Sequence, residues 1–334
     1  MRKPTLWLIV ISVIAVAAVA FVRISDDAPG VAAPPTTSGS GAPTSSVSST
    51  STTVTVPSTV PPATLPPGVG ACDLYSSIVD VGTVGSEGLI EASGLAVSRV
   101  DETVLWSHND SGDDARLYAF DTTGAPLGVF GVPGALAFDW EDMAAGPGPD
   151  GTGSYLYVGD IGDNFYIRGG RVAVYRVPDT DPRTMGREFD EVVALAYAYP
   201  DDVYNAEALF IDPVEPALYI VTKDKRKTLV FKGPITIIDG TVELELVATL
   251  RLDNEVSGAD ISWDGGVIAF RGYRNVWMWV RTEGSTIANA LTAEPCLAPN
   301  PDERQGEAIA FDRELSYWTV SEGRDPGLHM VPAG

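Results

Sequence analysis

A short phrase recurs five times in this 334-residue chain, and its spacing limits what the chain can fold into. The copies open Glu91-Ala92-Ser93-Gly94, Asp139-Trp140-Glu141-Asp142, Asn205-Ala206-Glu207-Ala208, Ser257-Gly258-Ala259-Asp260 and Gln305-Gly306-Glu307-Ala308. Each is a polar residue, a spacer, usually an acid, then a small residue or Asp, with an apolar residue next. Successive copies start 48, 66, 52 and 48 residues apart. A period of about 40–50 residues, each unit carrying several short strands, marks a β-propeller blade. The expected fold is therefore all-β, a five-bladed β-propeller.

Each copy is followed by strand-like runs rich in aromatic and β-branched residues. Second strands are expected at Val104-Leu105-Trp106, Tyr155 to Val158, Leu218 to Val221, Val267 to Phe270 and Tyr317 to Val320. Third and fourth runs follow in most units, the fourth of the 257 unit falling around Ala288 to Leu291. The last unit ends at Gly334 one strand short, while a lone strand, Ile78 to Val81, precedes the first copy. Pairing that N-terminal strand with the final unit closes the ring and leaves no open sheet edge. The long interval from 139 to 205 leaves six blades as the alternative to five.

Arg2 and Lys3 precede a charge-free apolar run of 17 residues from Leu6 to Val22, with Ala18-Val19-Ala20 as a small-x-small cleavage site. Residues 1–23 thus read as a secretory signal peptide or an uncleaved signal anchor, and both place the rest of the chain outside the cytoplasm. Residues 24–70, dominated by Pro, Ser and Thr, bury too little apolar surface to offset their ordering entropy and read as a disordered linker. The propeller is assigned to 71–334. Setting aside Arg2, Lys3, Arg23, Asp26 and Asp27 leaves 19 basic and 43 acidic side chains, a net charge of −24 on the domain. Such a charge argues against nucleic acid and anionic membrane surfaces as partners, so membrane contact is expected only through the N-terminal segment. Cys72 and Cys296, the two cysteines, are expected to pair in an exported domain and to pin its N-terminal edge to the ring.

In a propeller the phrase forms the innermost strand, and its start shares a channel mouth with the end of the second strand. Two positions of the repeat therefore aim acids at one opening. Glu141, Glu207 and Glu307 are the leading candidate metal ligands, supported by Glu91, Asp139, Asp142 and Asp260. Crowded carboxylates repel, so they must take up protons or a cation. Ca2+, which takes 6–8 oxygen ligands in flexible geometry, is the cofactor that suits them. With two histidines and no His/Cys cluster, zinc has little support. His108 at a strand end is a candidate general acid or base, and Lys223 and Arg271 are candidate anion-holding groups for catalysis.

The phrases at 93–96, 139–144, 205–209 and 305–310 resemble the Glu-Gly-[Ile/Leu]-Ala repeats of phytase-like and esterase-like-phytase propellers. That resemblance, over roughly 91–330, implies a propeller whose repeated acids ring the channel mouth and bind calcium, with phosphoester hydrolysis in some members. Two functions are expected on this basis. One is an extracytoplasmic cell-envelope binding or scaffold module for a small-molecule or protein ligand at the mouth. The other is a calcium-dependent hydrolase of phosphate or carboxylate esters.

Overall fold

The computed structural model describes residues 63–334 apart from 225 and 237–238. The assignments to 1–23 and to most of 24–70 lie outside the described residues. Among these residues the chain builds five sheets, one per copy of the phrase, all antiparallel except for one added parallel strand in the second. The first strand, β1 (Val79–Thr83), belongs to the last blade. Blade I is β2 (Ala92–Val97), β3 (Val104–Asn109), β4 (Arg116–Asp121) and β5 (Pro126–Gly131). Blade II is β6 (Trp140–Gly146), β7 (Tyr155–Asp160), β8 (Arg171–Pro178) and β9 (Val193–Ala198). Blade III is β10 (Ala206–Asp212), β11 (Ala217–Thr222), β12 (Thr228–Pro234) and, after a short β13 (Thr241–Glu243), β14 (Glu245–Leu250). Strand β13 crosses to blade II and pairs in parallel with β9. Blade IV is β15 (Gly258–Ile261), β16 (Val267–Arg271), β17 (Val276–Val280) and β18 (Cys296–Ala298). Blade V is β19 (Gly306–Phe311), β20 (Tyr317–Ser321), β21 (Gly327–Val331) and β1, which pairs with β21 and closes the ring.

The long 139–205 interval holds no extra blade. Its added length lies in the 161–170 and 179–192 connections, and Phe189 of the latter fills the cleft between blades I and II. One strand expectation is corrected. Residues around 288–291 form a short helix, α1 (Ile287–Ala290), capped by the Thr286 hydroxyl on the Asn289 amide at 3.1 Å. The fourth strand of blade IV is instead β18, which begins several residues beyond the helix.

The core lies between blades. Trp106, Trp140 and Met143 pack where blades I and II meet, Tyr157, Leu209 and Phe231 between II and III, and Phe210, Phe270 and Trp279 between III and IV. The inner strands β2, β6, β10, β15 and β19 are buried along their whole length. They therefore show no exposed/buried alternation and carry small and apolar residues interrupted, in all but β2, by the buried acids of the phrase, whereas the outer β9 alternates between exposed and buried positions.

The expected disulfide is present. Cys72 lies in a 3-10 turn (Ala71–Leu74) and is bonded to Cys296 of β18, 224 residues away. Residues just upstream also lie on the fold: the Ala63 amide donates to the Arg313 carbonyl at 2.9 Å. Replacing both cysteines with serine is expected to destabilise the domain by about 2–5 kcal/mol. A lower urea midpoint than the parent protein under oxidising conditions is the measurement that checks this.

Candidate functional site

The inner strands abut around the axis in the order β2, β6, β10, β15, β19. Four of them carry the same irregularity. In the pairing of each with its second strand, the register shifts across Ser93, Glu141, Glu207 and Glu307, leaving that residue as a bulge. A bulge adds an unpaired residue to one strand and re-aims its side chain. Here it turns three glutamates toward the mouth. Strand β15 pairs without a shift, Gly258 opposite Arg271 and Ala259 opposite Phe270, so blade IV offers no acid at this level. The residues just past the second strands, Asp110, Lys223 and Glu322, complete the rim on blades I, III and V.

On one side of the mouth Asp110, Asp139 and Glu141 each place a carboxylate oxygen within 4.8 Å of the other two. Oxygens bound at about 2.4 Å to one ion lie no further apart than twice that bond length, so this spacing suits Ca2+. The donor set is all oxygen, as a hard cation requires. Glu141 is buried, and its Oε1 has no hydrogen-bond partner. Gly162 closes over the group. A side chain there would collide with the Glu141 and Asp139 carboxylates, so the loop can approach only as glycine. Burial is the main cause pushing all three carboxyls up, Asp139 to about 6 and Glu141 well above its ordinary value, with mutual repulsion adding to it for these two. A bound cation would reverse that penalty.

Across the mouth Glu207 forms an ion pair with Lys223, which also donates to the Tyr273 hydroxyl at 3.1 Å. Asn205 donates to Glu207 Oε1 at 3.3 Å. Burial raises Glu207 to about 7 against the pull of Lys223, and it raises Glu307, which has Glu207 nearby, to about 8. The Lys223 ammonium stays charged because Glu207 outweighs its burial.

Several sequence candidates are not brought to this opening. Asp142 stands one residue past its bulge and points down the axis. Its Oδ2 accepts from the amides of Leu209 at 2.9 Å and Ala259 at 3.1 Å, and Oδ1 from Met143 at 2.8 Å. It staples three inner strands. Asp260, in a blade without the bulge, falls opposite Ala269 where other blades hold Leu95, Met143, Leu209 or Ile309. There it accepts from the Phe311 amide at 2.7 Å. Glu91 is exposed on the side of blade V, near Glu322, and does not join the Asp110, Asp139 and Glu141 group. His108 lies within β3, fully buried edge-on to Trp140, and burial pushes it down to about 4, so it is neutral. Arg271 is buried too, ion-paired with Glu303 and donating to the Ala308 carbonyl at 2.6 Å. It cannot reach a ligand at the mouth from there. Conversely, Asp110 is missing from the candidate ligands read from sequence, because Asp110-Ser111-Gly112-Asp113 has the composition of an ordinary turn.

Fold and site together define a five-bladed β-propeller with an acidic channel mouth. No family model matches the sequence, and no curated protein matches it, so the phytase-like resemblance gains no support from these comparisons. Solved structures with a related fold include the PQQ-bound aldose sugar dehydrogenase of Streptomyces coelicolor, at 15% identity over 77% of this chain and 98% of that one, TM-score 0.42. A glucose dehydrogenase matches at 13% identity over 78% of this chain and 100% of that one, TM-score 0.46. A chain of a nidogen/laminin complex matches at 12% identity over 70% and 73%, TM-score 0.43.

Proposed function

We propose that the protein is an extracytoplasmic binding module whose channel mouth is organised by a cation of the Ca2+ class, held by Asp110, Asp139 and Glu141. The observation that carries this reading is the convergence of three carboxylates on one point, with a buried Glu141 oxygen that nothing else satisfies. Protein groups supply three ligand positions, and waters or a ligand fill the rest. The export half of the reading rests on the apolar run at Leu6 to Val22. The hydrolase reading needs an anion subsite beside the cation. Arg271 is buried and Lys223 is engaged by Glu207, which favours binding over catalysis.

The test is the melting temperature of the protein in EGTA and then in millimolar Ca2+. Ligand at about 100 times its dissociation constant adds roughly 2.7 kcal/mol, which for a domain of this size is about 5–10 °C. Glu141→Gln is expected to remove the shift. A protein that melts at the same temperature in both buffers and carries no metal by elemental analysis would end the cation reading.

A further inference from the structure

The rim of blade II displays apolar side chains in water. Phe165, Tyr166 and Ile167, consecutive in the connection after β7, are 77%, 62% and 65% exposed. Leu136 and Phe138, on the approach to β6, are 71% and 52% exposed. Both segments flank the mouth, and the Arg168 guanidinium joins them by lying over the Phe138 ring at 5.1 Å. The tip is held firmly. The buried Asp163 carboxylate accepts from the amides of Ile167 at 2.7 Å and Arg168 at 3.0 Å. Asp163 is fixed in turn by its own amide, which donates to Asn205 Oδ1 at 2.6 Å. Arg168 is anchored to Asp160 at 2.6 Å. Tyr166 takes a left-handed φ of 55°, a conformation uncommon for a side chain of its size. Backbone strain and buried hydrogen bonds thus present three large apolar groups to solvent. Contiguous exposed apolar surface with aromatics and an arginine is the composition of an interaction hot spot.

Charge decides the partner. The domain carries −24, and the blade I turn on one flank of the patch bears the exposed acid Asp114, whose neighbour Ala115 accepts from the Val132 amide at 2.9 Å on the segment leading to Leu136. The bases nearest that flank, Arg116 and Arg168, are already paired with Asp113 and Asp160. The exposed bases Arg226 and Lys227 lie on the other flank, on the blade III loop. A second copy of this chain or an anionic bilayer would bring negative charge against negative. We propose that the mouth face docks a protein segment that presents a large apolar side chain flanked by Lys or Arg, the apolar group on Phe138 and Phe165–Ile167 and the basic residues over Asp114 and the acidic mouth beside it. This names the partner class for the binding reading above and rests on it. The patch itself does not depend on the cation.

The test uses the full chain and a fluorescein-labelled peptide with tryptophan and leucine between lysine pairs. Two counterparts carry glutamate for lysine or alanine for the apolar pair. In Ca2+ the basic apolar peptide is expected to bind at least 10-fold more tightly than either counterpart, and more weakly as salt is raised. Phe165→Ser with Ile167→Ser is expected to weaken it at least 10-fold while leaving the Ca2+-induced melting shift intact. Asp114→Asn is expected to weaken it by a smaller factor and to flatten its salt dependence. Equal binding of the acidic peptide, indifference to the double serine variant, or partition of the patch into phosphatidylcholine vesicles with no peptide binding would overturn the proposal. Loss of the melting shift alone would sink the cation site and leave the docking result standing.

Discussion

Asp142→Ala is expected to lower the melting temperature of the propeller by roughly 10 °C, even though residue 142 lies in a motif that looks like a ligand set. The carboxylate has no exposure to solvent and accepts three backbone amides, one from each of β6, β10 and β15. Alanine leaves the Leu209 and Ala259 N–H groups buried at the axis without an acceptor. Each such orphan costs about 1–3 kcal/mol. Asp142→Asn keeps one acceptor oxygen and is expected to fall between the two. Burial already drives the Asp142 carboxyl well above its ordinary value, so losing the charge matters less than losing the acceptors. Thermal melts in EGTA and in Ca2+ separate this residue from its neighbour. Asp142→Asn is expected to keep the Ca2+ shift that Glu141→Gln abolishes. A Glu141→Gln protein that still responds to Ca2+, beside an Asp142→Asn protein that does not, would reverse the assignment.

That contrast between adjacent residues shows what the sequence could and could not convey. The blade count was legible, because five copies at propeller spacing and a last unit one strand short require a closing strand, and β1 supplies it. The disulfide was legible from two cysteines in a domain that the sequence leads one to expect outside the cytoplasm. Register was not. A bulge shifts every later residue by one relative to its partner strand, and four blades have it while blade IV does not. Aligned letter by letter, Asp260 joins Asp142; aligned by pairing, it takes a slot that is apolar in the other blades. No local composition marks that difference, since Gly258-Ala259 is as small as Ala206 and Ala208. Asp110 was hidden in the opposite way, by a turn composition so ordinary that its position beside Asp139 and Glu141 becomes visible only when blades I and II are placed side by side.

Arg271→Ala is expected to cost about 3–5 kcal/mol of folding stability, the scale of removing one partner from a buried ion pair. Seen only as an arginine at a strand end, residue 271 suggests an anion holder. Its register equals that of Thr222 and Ser321, but its long side chain turns beneath Gly306, where any Cβ would collide with the guanidinium, and reaches blade V. There it meets Glu303 and donates to the carbonyls of Ala308 at 2.6 Å and Val320 at 3.3 Å. Glu303 also accepts from Thr319 at 2.8 Å and lies 2.7 Å from His329 Nδ1. Burial opposes the Glu303 charge, but Arg271, His329 and Thr319 outweigh it and hold the carboxyl below its ordinary range. A depressed folded value contributes stability above the unfolded value and loses it only as the pH falls through the folded one. Without the guanidinium the strongest pull holding the carboxyl down is gone and burial pushes it up, so the stability lost with Arg271 is greatest where Glu303 is ionised and shrinks as acid protonates it. The melting gap between parent and Arg271→Ala is therefore expected to be smaller at pH 5 than at pH 8. Lysine, a point charge without the planar fork, is expected to rescue only part of it. An Arg271 that served a ligand at the mouth would instead leave both melting curves superimposed across that range and change only what the mouth binds.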